Sequence, residues 1–108
     1  GRQLDGAPST IRALPSIVDA VGNQLEVHMD GGVRSGQDVL KARALGAKAA
    51  WIGRAFLYGL AANGQAGVSD ALRIIQKELD VSMAFCGRTH IDQVDANILF
   101  PQTYPLAP

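Results

Sequence analysis

The sequence predicts an α/β fold, specifically the last part of an eight-stranded β/α barrel. The first observation behind this is the stretch Met29-Asp30-Gly31-Gly32-Val33-Arg34, where a short apolar run turns on glycine and delivers an arginine. The second is its echo at Ile52-Gly53-Arg54, again with a helical pattern behind it. Bare glycine amides and the positive end of a following helix attract phosphate, and arginine adds a forked, permanently charged donor. The third is spacing: in such barrels the loops after strands 7 and 8 often hold cofactor phosphates, and these two units are the last in the chain.

The elements follow in order. Ile11, Leu14, Ile17, Val18 and Val21 recur at helical spacing after Pro8. Pro15 is expected either to kink this helix or to stand near the start of its regular part, and Gly22-Asn23 to stop it. Leu25 to Met29 reads as a strand with Val27 and Met29 under the helices and Glu26, His28 and Asp30 on the inner side. His28 is expected to be a hydrogen-bonded core histidine rather than a catalytic one. Ser35 with Asp38 reads as an N-cap, Val39, Leu40 and Leu45 form an apolar face, and Gly46 closes the helix. Ala49 to Ile52 is the next strand, at a spacing that suits a parallel crossover.

A short extra helix is expected over Phe56 to Ala62, broken around Asn63-Gly64 and Gly67. A longer one runs from Val68 through Leu72, Ile75 and Leu79 to Met83, with Arg73, Lys77 and Glu78 on a solvated face and Cys86 in a packing role. From Gly87 order is expected to fade, apart from one turn at Ile91 to Val94 and an extended tail marked by Pro101, Pro105 and Pro108. The barrel part is therefore placed at residues 1–87 and a tail at 88–108.

Composition excludes several classes of function. A hydrophobic share of 47% suits a packed protein, and ten basic residues balance ten acidic ones, which gives no global field for nucleic acid. One cysteine excludes an internal disulfide. No apolar run reaches the roughly 18–20 residues of a membrane span. The expected location is the cytoplasm, with peripheral attachment to the inner face of a bacterial membrane as the alternative. The chain opens in mid-motif on Gly1-Arg2-Gln3-Leu4-Asp5 without an initiator methionine, so it is expected to be a piece of a longer protein.

Gly1-Arg2-Gln3-Leu4-Asp5, Asp30-Gly31-Gly32-Val33-Arg34 and Gly53-Arg54 together resemble the FMN-dependent α-hydroxy acid dehydrogenases and oxidases, over about Gly1 to Gly87. The run from Gly53 through Ala62, with Gly64-Gln65-Ala66-Gly67-Val68, looks most like the bacterial respiratory L-lactate dehydrogenases. The resemblance implies FMN as cofactor and oxidation of an L-2-hydroxy acid to the 2-oxo acid. It places Arg2 on the substrate carboxylate, Asp30 on the ribityl chain, and Gly31, Gly32, Arg34, Gly53 and Arg54 around the FMN phosphate. Asp5 takes a structural role, capping or orienting its neighbours. The catalytic base would be a histidine shortly before Gly1, and neither His28 nor His90 replaces it. No metal site is expected.

The resemblance further implies a quinone, a cytochrome or oxygen as electron acceptor, and a homo-oligomer for the full-length protein. Two alternatives stand beside this reading. One is another FMN-binding barrel such as a type 2 isopentenyl-diphosphate isomerase, which Arg2-Gln3-Leu4-Asp5 argues against. The other is a non-catalytic phosphate-binding module.

Overall fold

The structure is a computed structural model, and it describes residues 3–104. Its elements in order are α1 (Thr10–Val21), β1 (His28–Asp30), α2 (Gly36–Ala44), β2 (Ala49–Trp51) and α3 (Arg54–Phe85), followed by 3-10 turns at Ile91–Gln93 and Ala96–Ile98. The strands pair in parallel with Asp30 opposite Trp51, so both end at the same edge. The α/β reading holds for this segment.

Alternation sorts the two faces of the sheet. Met29 is buried with Leu14, Val33, Ala42, Leu45 and Ala47, while Val27, Ala50 and Ile52 pack around them. His28, Asp30 and Trp51 occupy the other face and are exposed. His28 Nδ1 accepts a hydrogen bond of 3.3 Å from Trp51 Nε1. The expected core histidine is thus hydrogen-bonded but not buried, because no further layer covers that face among the described residues.

α1 starts at Thr10 with Ser9 as N-cap, and it runs straight through Pro15. Burial of Leu14 and Pro15, with Ile11 and Val18 packed alongside, outweighs the one lost backbone bond. Gly22 closes the helix in the right-handed region, not the left-handed one, and donates to the Val18 carbonyl at 2.8 Å.

α2 is defined at both ends by its own sequence. Ser35 and Asp38 form a reciprocal capping box. At the other end Gly46, at φ 100°, lets its N–H reach the Arg43 carbonyl and the Ala47 N–H reach the Ala42 carbonyl, both at 3.0 Å. Ser35→Ala is expected to cost about 1 kcal/mol of stability, read as a lower denaturant midpoint at unchanged slope.

α3 breaks where expected, at Asn63 and Gly64, whose backbones are non-helical. Gly67 does not break it. Gly67 is buried within the helix, and its missing side chain lets the segment after the break press its backbone against Gly59 of the segment before it.

Order also continues past Gly87. Val94 is buried with Leu40, Ala44 and Met83, and Ile91, Ile98, Leu99 and half-buried Cys86 pack against them. Arg43 holds this region, donating to the Ile91 carbonyl at 3.3 Å and pairing with Asp92 at 3.1 Å. Pro105 and Pro108, expected in an extended tail, lie outside the described residues.

Candidate functional site

Two glycine turns meet at the shared strand edge. After Asp30 the chain passes through Gly31 (φ 109°) and Gly32 (φ 78°), a conformation open to glycine and strained for other residues. Thr10 Oγ1 donates to the Gly31 carbonyl at 3.1 Å, which ties this turn to α1. Buried Val33 then anchors the turn from below, and exposed Arg34 follows it. After Trp51 and Ile52, Gly53 caps α3 and Arg54 begins it.

A pocket of about 310 Å³ opens between the two turns. Its walls include Asp30, Gly31, Gly32, Arg34, Gly53 and Arg54, so all six residues expected to contact a cofactor come together. Arg2 lies outside the described residues, as does Gly1. Asp5 is exposed and makes no side-chain hydrogen bond among the described residues, so the capping role expected of it is not seen there.

The two helix ends at the pocket differ. The N-cap expected at Ser35 and Asp38 is present at the start of α2. At α2 four amides are already taken: Asp38 Oδ2 accepts from Arg34 and Ser35 at 3.0 Å each, Glu78 Oε2 from Gly36 at 2.8 Å, and Ser35 Oγ from Asp38 at 3.2 Å. At α3 the N-cap is Gly53, which has no side chain to cap with, and the first intrahelical bond is Leu57 N–H to the Gly53 carbonyl. The amides of Arg54, Ala55 and Phe56 therefore remain open to an anion. Neither the Arg34 nor the Arg54 guanidinium forms an ion pair among the described residues.

Sequence reasoning missed Trp51, Leu57 and Thr10. Trp51 is 58% exposed and lines the pocket beside Asp30. Its position at the end of a strand, two residues before Gly53, was the available signal. Glu78 is exposed, as expected of a solvated face, and it also accepts from α2 through the Gly36 N–H.

Two parallel βα units, whose glycine turns and arginines converge on one strand edge beside an open helix end, define a segment of the α/β class. A family model described as FMN-dependent dehydrogenase matches residues 1–101, and the chain belongs to that family. It is 57% identical over 99 residues to an L-lactate dehydrogenase of Caulobacter sp. (strain K31), covering 92% of this chain and 26% of that protein. It is 52% identical over 108 residues to a pre-mycofactocin synthase of Mycolicibacterium smegmatis, covering 99% and 27%.

Among solved structures, a flavocytochrome b2 variant with sulfite bound superposes with a TM-score of 0.87 at 41% identity, over 95% of this chain and 28% of that one. A mutant of (S)-mandelate dehydrogenase superposes with a TM-score of 0.86 at 38% identity, over 92% and 28%. The chain thus spans about a quarter of the length of these relatives.

The pocket suits the phosphate end of FMN. It presents two guanidinium groups that are unpaired among the described residues and a helix N-terminus without a side-chain cap. At Gly53 and Gly32 a Cβ would meet nothing of the protein, so the backbone is bare toward a ligand.

Proposed function

We propose that this chain is the C-terminal part of an FMN-binding (β/α)8 barrel, contributing helix 6, strand 7, helix 7, strand 8, helix 8 and the tail. In this reading the whole protein oxidises an L-2-hydroxy acid, L-lactate, to the 2-oxo acid. The observation that carries it is the meeting of Arg34, Arg54 and the open start of α3 around one pocket. Arg34 and Arg54 hold the FMN phosphate with charge-assisted bonds, and the bare backbone at Gly31, Gly32 and Gly53 lets the group approach. Asp30, at the end of β1, accepts from a ribityl hydroxyl.

Arg2 meets the substrate carboxylate with its planar fork. The chemistry that FMN supplies when bound is acceptance of two electrons. The base is a histidine upstream of Gly1. The acceptor that takes the electrons onward is a quinone, a cytochrome or oxygen, and the protein works in the cytoplasm or at the inner face of the membrane.

The test uses the full-length protein. Anaerobic L-lactate is expected to bleach the oxidised-flavin spectrum faster than glycolate or mandelate does, and no bleaching by any 2-hydroxy acid would overturn the reading. Arg2→Lys keeps the charge but loses the fork. It is expected to lower kcat/KM by roughly one to two decades while flavin content stays at the wild-type level. Wild-type kcat/KM in that variant would remove Arg2 from the site.

A further inference from the structure

We infer that Glu78 is a positioning residue for the phosphate end of this site, acting through Arg34; the inference rests on the FMN reading above. Glu78 lies on α3, well beyond the break, and its Oε2 accepts the Gly36 N–H at 2.8 Å. Gly36 is buried, and a Cβ on it would overlap the backbone of Glu78 and Leu79, so the start of α2 rests directly on α3. Arg34 stands two residues before this contact, and its own N–H is held by Asp38 at 3.0 Å.

The first turn of α2 is therefore pinned by two carboxylates, Asp38 from within and Glu78 from another helix. α3 then serves both lobes of the site. Its N-terminus carries Arg54 and the open amides, and further along it fixes the turn that presents Arg34.

This assignment separates two effects of opposite sign. As an acceptor Glu78 holds Arg34 in place, whereas as an anion it repels phosphate. Its side chain is exposed, so the repulsion is screened and the positional effect dominates.

The experiment is a titration of the full-length apoprotein with FMN and with riboflavin, whose affinity ratio isolates the phosphate. Glu78→Ala, a strong helix former at an exposed helical position, leaves α3 intact. It is expected to lower the FMN-to-riboflavin ratio about tenfold. Glu78→Gln keeps an acceptor oxygen and is expected to stay within about twofold of wild type or to rise. Glu78→Asp, with the carboxylate withdrawn by one methylene, is expected to fall several-fold and serves if the alanine variant is poorly folded. In an Arg34→Ala background Glu78→Ala is expected to add nothing.

Three results overturn the inference: an unchanged ratio in Glu78→Ala and Glu78→Asp, an equal loss in Glu78→Gln, or additivity with Arg34→Ala. If Arg34→Ala itself leaves FMN affinity unchanged, the FMN reading falls along with it. If Arg34→Ala acts and Glu78→Ala does not, only the role of Glu78 falls.

Discussion

An Arg34→Ala/Arg54→Ala variant of the full-length protein is expected to fold normally and to lose FMN affinity by roughly two to four decades. Each charge-assisted hydrogen bond contributes about 1.5–3 kcal/mol, and two such losses add to that range. In the proposed reading both side chains reach for one phosphate, so the sum is an upper bound and the double variant falls short of strict additivity. Both residues are exposed and unpaired among the described residues, so stability is expected to move by no more than about 0.5 kcal/mol. Flavin titration beside a thermal melt reads both quantities. FMN affinity within threefold of wild type would remove the arginines from the cofactor site.

Gly36→Ala is expected to be the most destabilising single methyl that can be added around the site. The added Cβ meets backbone of Glu78, Leu79 and Ile75, and backbone cannot rotate aside as a side-chain tip can. Overpacking of this kind costs about 1–3 kcal/mol, and this position belongs at the upper end. The same shift would pull Gly36 away from Glu78, so loss of FMN affinity is expected to accompany the loss of stability. Gly53→Ala is the comparison, since a Cβ there meets nothing of the protein. Equal stability of the two variants, read by denaturant midpoint, would show that α2 does not rest on α3 as described.

The parts of this protein written in local sequence were legible. Ser35 with Asp38 announces the start of α2, Gly46 its end, and Gly31-Gly32 a turn that few other residues can make. The alternation of Val27, His28, Met29 and Asp30 assigned each to the correct face.

What failed depended on partners far away in the chain. Gly67 looked like a breaker because its reason for being glycine is Gly59, which local periodicity does not reveal. Glu78 looked like any solvated carboxylate because Gly36 lies in a different helix. Beyond Gly87 the apolar residues follow neither helical nor strand period. Val94 is buried through a 3-10 turn held by Arg43, a contact that no window on the tail contains. At the site, the six pocket residues and the cap on α2 were readable from motifs, but the second carboxylate that Glu78 brings to that helix start was not.

The contact between Gly59 and Gly67 also constrains the gene's tolerance of insertions and deletions. One residue added between Arg54 and Gly59 would turn Gly59 about 100° around its helix and carry it off the glycine it faces. A side-chain-bearing neighbour would then arrive at a spacing that admits only backbone. The stretch from the open start of α3 to this contact thus behaves as a spacer of set length. The break at Asn63-Gly64, where glycine geometry already interrupts the helix, is the place where extra residues can be absorbed.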